Sequence, residues 1–184
     1  MKKYLIEYKP FLLFLAKFFV VYLFLTIAYQ SYLSQFNEKN HEVDGFTILV
    51  ASQTEFVLNL FDASTYSMPN LKEASVKIFF HKKWVGRIIE GCNALSVIIL
   101  FISFIIAFTG KFKKTIVFIL LGSSIIHFFN ITRIALLCAA LYYYPQYQEV
   151  LHGVVFPLFI YGIVFLLWVI WVNKFSFYAK KNTE

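Results

Sequence analysis

Charge is scarce in this chain: Asp, Glu, Lys and Arg make up 15% of its 184 residues, while 60% are hydrophobic and 21% aromatic. That is too little charge for an ordinary soluble domain, and it places the chain among membrane proteins. Cysteine is scarcer still. Cys92 and Cys138 are the only two, which excludes a disulfide framework and leaves either one bridge or one reactive thiol. No glycine-rich phosphate loop is present, no Cys/His spacing marks a zinc site, and no internal repeat or low-complexity tract occurs. No metal or cofactor is expected.

The charge that is present informs by its position. A formal net charge of +7 suggests nucleic acid, but most Lys and Arg stand in short clusters beside apolar runs, where they orient membrane helices. No nucleic-acid partner is expected. Runs at 11–33, 94–108, 115–141 and 154–172 can cross a hydrocarbon core of ~30 Å. The first is longer than the apolar region of a signal peptide and no small-residue cleavage motif follows it, so it reads as an uncleaved transmembrane helix. Lys2, Lys3 and Lys9 precede that run; Lys111, Lys113 and Lys114 lie between the second and third; Lys174, Lys180 and Lys181 follow the last. Placing all three clusters in the cytoplasm satisfies the positive-inside rule.

The expected fold is therefore an all-α polytopic membrane protein with four transmembrane helices. Residues 1–10 form a cytoplasmic N-terminus, 11–33 the first helix, 34–91 an outer segment and 92–109 the second helix. A cytoplasmic loop at 110–114 leads to the third helix at 115–141. An outer loop at 142–152, the fourth helix at 153–172 and a cytoplasmic tail at 173–184 complete the order. Within the outer segment, 46–61 is apolar but interrupted by Gln53, Glu55 and Asn59. A charged group at mid-membrane costs at least ~2.5 kcal/mol, so this stretch reads as an amphipathic helix on the outer surface. From 75 to 89, Val76, Ile78 and Phe80 alternate in a strand-like pattern, His81-Lys82-Lys83 can turn, and Trp84 to Ile89 can return; a small β-hairpin is expected.

On this topology Cys92, Arg133 and His152 reach one membrane face. Cys92 begins the second helix and His152 begins the fourth. Arg133 is 18 residues beyond Thr115, which at 1.5 Å per residue is ~27 Å from the inner side. A thiol at a helix N-terminus meets the positive end of the dipole, which favours thiolate. Imidazole can take or return a proton near neutrality. A guanidinium can hold an oxyanion, a substrate carboxylate or the thiolate itself. Asn130 shares the helix face of Arg133 and is placed to orient it or a substrate amide. Glu90 opposes the dipole effect or orients another group.

Other readings stand beside these. Cys92 can be a packing residue or can bridge to Cys138, and Arg133 can snorkel to headgroups. His152 can be an ordinary interfacial residue. The chain would then be a non-enzymatic membrane subunit that binds lipid headgroups or a partner helix through Arg133 and His152. His127, turned away from Arg133, reads as packed or internally bonded. Tyr142, Tyr143, Tyr144, Trp168 and Trp171 read as an interfacial belt. A transporter is disfavoured, because the inner half of the bundle has few ionisable groups and no inverted repeat.

The ordered set formed by Cys92 after an outer segment, Asn130-Ile131-Thr132-Arg133 on the next helix and His152 at the head of the last resembles the exosortase/archaeosortase family. The compact form, with E-G-C-N-A-L-S at Glu90 to Ser96, is similar to the exosortase F type. The resemblance covers about residues 46–172. It implies a membrane-embedded cysteine transpeptidase or protease in the inner membrane, with its active site toward the periplasm. Such enzymes cleave C-terminal sorting signals of exported proteins and transfer them to another anchor, such as a lipid or glycan acceptor. Cys92 would be the nucleophile, Arg133 its electrostatic partner and His152 the acid/base, with Asn130, Glu90 and Asn93 supporting. Two departures mark this chain: Asn93-Ala94 follows the cysteine where many members have Ser-Gly, and Gly153 follows the histidine where many have Asp. They leave open the oxyanion hole, the partner of the histidine, and the choice between transfer and hydrolysis.

Overall fold

The computed structural model describes residues 8–37, 40–61 and 64–176; the segment at 1–7 and the tail with Lys180 and Lys181 lie outside them. Three of the described helices are long and apolar enough to cross a membrane: α1 (Lys9–Leu33, 25 residues), α4 (Phe112–Tyr143, 32 residues) and the run Pro145–Phe175 (31 residues), whose regular central part is α5 (Phe156–Ile170). The expected second span is shorter than its apolar run. Helix α3 occupies Leu95–Ala107, 13 residues, or ~20 Å at the α-helical rise. Its start is delayed because Glu90–Cys92 forms a 3₁₀ turn and Ala94 takes a left-handed conformation, φ 64°.

The expected outer loop at 142–152 is almost wholly helical. Tyr144 alone separates α4 from a 3₁₀ turn opening at Pro145. Proline suits a first helical turn because its missing N–H has no partner there anyway. The helix continues through Gln148–Val150 into a π-helical turn, Leu151–Val155, that carries His152.

Helix α2 (Gly45–Asn59) is capped by Asp44, whose carboxylate accepts from the backbone N–H groups of Phe46 and Thr47. Its apolar face, with Val50, Ala51 and Leu58, packs on protein. The partners are β2 (Val76–Phe80) and the outer part of α4, through Ile134, Ala135 and Cys138. In β2, Val76, Ile78 and Phe80 are buried and alternate with Lys77 and Phe79, the half-buried pattern read from sequence. Strand β3 (Lys83–Ile88) returns beside it through His81 and Lys82, both at positive φ. The hairpin gains an unforeseen third strand, β1 (Tyr66–Pro69), giving an antiparallel sheet of order β1-β2-β3. At four residues with a proline, β1 carries no readable alternation, and long-range pairing with β2 defines it.

A second core lies within the helices. Ile98, Phe101 and Ile105 of α3 pack with Ile126 of α4, Ile160 and Val164 of α5, and Trp171. Trp171 is fully buried, not interfacial: its indole N–H donates to the Phe108 carbonyl at 2.9 Å, closing the C-terminal end of α3. Trp168 stacks on Phe104 at 4.2 Å. Helix α1 joins through Phe14, which contacts Phe104 and Phe108, while Phe19, Leu23, Phe24 and Ile27 remain outward, as a lipid-facing surface requires.

Helices α3 and α4 approach closely at Gly122, where an added Cβ would overlap the Cζ edge of the ring of the fully buried Phe101. Gly122→Ala is expected to destabilise the bundle by about 1–3 kcal/mol, the usual cost of overpacking. Adding Phe101→Leu should recover part of the loss. Thermal unfolding in detergent reads both effects.

Candidate active site

The two cores meet at the turn 90–94. Cys92 packs against the outer core and Ala94 belongs to the bundle core. A cavity of about 510 Å³ opens beside this turn, and Cys92, Arg133 and His152 all line it. Strand β3 with Ile89 forms one wall, and the outer end of α4, from Arg133 to Leu141, forms another. Pro145, Gln148 and His152, at the head of the last helical run, complete it. The three residues singled out by depth are thus brought to one space from three separate elements. The π turn around His152 is a helical irregularity of the kind often found at functional sites.

The supporting residues stand behind the cavity. Asn130 is buried and donates through Nδ2 to the Cys92 carbonyl at 2.8 Å, so it holds the cysteine's backbone. Asn93 is 1% exposed; its Nδ2 faces the Tyr29 hydroxyl and Thr47 Oγ1, each at 3.2 Å, and its Oδ1 accepts from the Leu95 N–H at 2.9 Å. The Tyr29 hydroxyl donates in turn to Glu90. One asparagine therefore ties the cysteine turn to α1, α2 and the start of α3. Tyr29 and Thr47 had no sequence signal, since each is an ordinary residue within an apolar helix. His127 bonds to Gln53 of α2 at 2.8 Å, away from the cavity.

The cavity is basic. Lys83, Arg87 and Arg133 line it, and among the described residues no carboxylate does. Arg87 pairs with Glu73, and Lys83 stands 5.6 Å from the centre of the Tyr142 ring. Desolvation pushes the Glu73 carboxyl up, but hydrogen bonds from Arg87 and Ser75 and the adjacent guanidinium charge outweigh it and hold it below the ordinary carboxylate range. The pair is therefore intact at neutral pH and is lost as pH falls through the lowered value. Arg133 has no such carboxylate among the described residues. Its Nε is buried without a hydrogen-bond partner among the described residues, and the Cys92 thiol and the Tyr161 hydroxyl are near it.

Both thiols are free: Cys92 is half-buried on the cavity and Cys138 is buried at 5% exposure. The backbone after the cysteine is also unusual. Ala94 holds the left-handed conformation that favours glycine, at the position where the sequence departs from Ser-Gly.

The family model for transmembrane exosortases matches residues 6–172. No curated protein and no solved structure matches the chain.

Two outcomes follow from this geometry. A membrane-impermeant maleimide should label Cys92 in the folded protein without prior reduction, while Cys138 should label only after denaturation; mass spectrometry of the alkylated peptides reads both. Ala94→Gly should raise stability by about 1 kcal/mol by relieving left-handed strain, whereas Ala94→Val should lower it by about 1–3 kcal/mol, as thermal unfolding would show.

Proposed function

The chain belongs to the transmembrane exosortase family, and from that premise we propose that it is a cysteine-dependent transpeptidase or protease of C-terminal sorting tails. The observation that carries this reading is the shared cavity of Cys92, Arg133 and His152. The Cys92 thiolate attacks the carbonyl carbon of the scissile amide, and the tetrahedral oxyanion accepts hydrogen bonds and charge from Arg133. His152 gives a proton to the departing amine as the C–N bond breaks, leaving a thioester on Cys92. An acceptor amine or hydroxyl, or water, then loses its proton to His152 and attacks the thioester, releasing the thiolate. Asn130 and Asn93 fix the backbone around the nucleophile, and Glu90 acts through Tyr29. We read the compact E-G-C-N-A-L-S form as the exosortase F type.

The chain is a multi-pass membrane protein. We propose that α3 and its flanking turns make a fourth crossing, because α3 packs within the same bundle core as α4 and α5. Both ends then lie in the cytoplasm, and the cavity faces the periplasm from the inner membrane. Helix α1 stays attached in this arrangement, since Tyr29 serves the cysteine turn.

A C-terminal survey of membrane and surface proteins in cells carrying Cys92→Ala tests the reading. Precursors that retain a hydrophobic, basic-ended tail should accumulate. An unchanged set, with the variant made at normal levels, would instead favour a subunit that binds headgroups or a partner helix. Arg133→Lys and His152→Ala should each slow conversion of such a precursor by about 10²–10³-fold without changing protein level.

A further inference from the structure

The sheet has two edges, and the protein treats them differently. At β1, helix α2 occupies the outward backbone groups. Glu55 Oε2 accepts from the Ser67 N–H at 2.9 Å, Asn59 Oδ1 accepts from the Thr65 N–H at 2.7 Å, and Asn59 Nδ2 donates to the Thr65 carbonyl at 2.9 Å. At β3, no backbone group other than those of β2 bonds to the strand among the described residues. Among the described residues, the side-chain hydrogen bond to its backbone comes from within the strand: the Trp84 indole N–H donates to the Gly86 carbonyl at 2.8 Å. Every residue of β3, Lys83 through Ile88, lines the cavity. An open edge is a liability that folded proteins usually cover. Here it is left uncovered only where it borders the proposed nucleophile.

We infer that the substrate peptide docks by β-augmentation: the extended stretch beside its scissile bond adds as a further strand on the free edge of β3. The inference rests on the processing reading above and names how that site holds its substrate. Only another extended backbone matches a row of alternating N–H and C=O groups; a lipid headgroup or a glycan does not. The strand runs directly into Ile89 and the turn that carries Cys92, so one end of a paired peptide is delivered to the thiol. Six residues of β3 offer ~20 Å of edge, enough to read four to six substrate residues on one side of the cleaved bond. The phase is set by the hairpin. Phe80 and Lys83 pair across its two-residue turn, so Trp84 turns its backbone N–H and C=O to the free edge, and a β-bulge opposite Ile78 and Phe79 resets the alternation between Trp84 and Gly86.

The test uses the full-length enzyme in proteoliposomes. Its probe is a synthetic tail, including the hydrophobic helix and basic end, copied from a precursor that accumulates with Cys92→Ala. Each backbone amide near the cleavage site is N-methylated singly. Conversion should fall tenfold or more at the residues whose N–H faces the edge and stay near that of the unmodified tail at their neighbours, with the alternation reset once where the peptide passes the bulge. An equal loss at every position, or no loss at any position, overturns the docking mode while leaving the processing reading intact. Failure of wild type to convert the unmodified tail overturns both. Trp84→Pro, which removes an edge N–H, should reduce conversion tenfold or more with Cys92 alkylation unchanged. If that variant misfolds, the N-methyl series decides alone. If it converts the tail normally but loses a self-associated form of wild type, the edge belongs to a second copy of the chain and the inference falls.

Discussion

The arrangement depends on a buried asparagine. Asn93 lies at the seam between a sheet-and-helix core outside and a helix core within, and its side chain bonds to three elements at once. A buried hydrogen bond contributes only about 1 kcal/mol net, but a buried polar group left without a partner costs about 1–3 kcal/mol. Such a network is therefore specific: the turn at 90–94 has one arrangement that satisfies Tyr29, Thr47, Glu90 and the N–H of Leu95 together. Asn130 adds the Cys92 carbonyl from α4. With its backbone held from several sides, the Cys92 thiol has a fixed place on the cavity wall. The left-handed Ala94 is the local strain that this over-determined turn supports.

The two cores divide the labour. The helix core orients α3, α4 and α5 by packing aromatic and branched side chains, with Trp171 closing the end of α3. The outer core fastens the sheet to α2 and α4, which sets β3 across the cavity from the head of the last helical run. Arg133 sits on α4 one residue before Ile134 of the outer core. The cation thus stands on the cavity wall beside an apolar core, with no carboxylate partner among the described residues.

Much of this was legible before any coordinates. Apolar run length marked α1, α4 and the last helix, because a bilayer demands ~20 apolar residues whatever their neighbours are. The depth argument brought Cys92, Arg133 and His152 to one level, and period-two alternation exposed β2 and its return strand. Three features were not legible. The late start of α3 follows from the backbone conformation at Ala94, which composition does not encode. The helical stretch at 145–155 was hidden because Pro145 reads as a break when it is in fact a first turn. Trp171 resembled a belt residue because its carbonyl partner lies 63 residues away.

The sequence by itself determined that this is a membrane chain, where its long apolar helices lie, and that Cys92, Arg133 and His152 come together. Those properties follow from hydrophobicity and rise per residue, which are local and additive along the chain. Only the tertiary structure decided that Asn93, Tyr29 and Thr47 form one network, that β1 completes the sheet, and that one sheet edge is covered while the other borders the cavity. Each of these is a pairing between distant segments, settled by geometry and by the need of every buried polar group for a partner, and no window of sequence contains it.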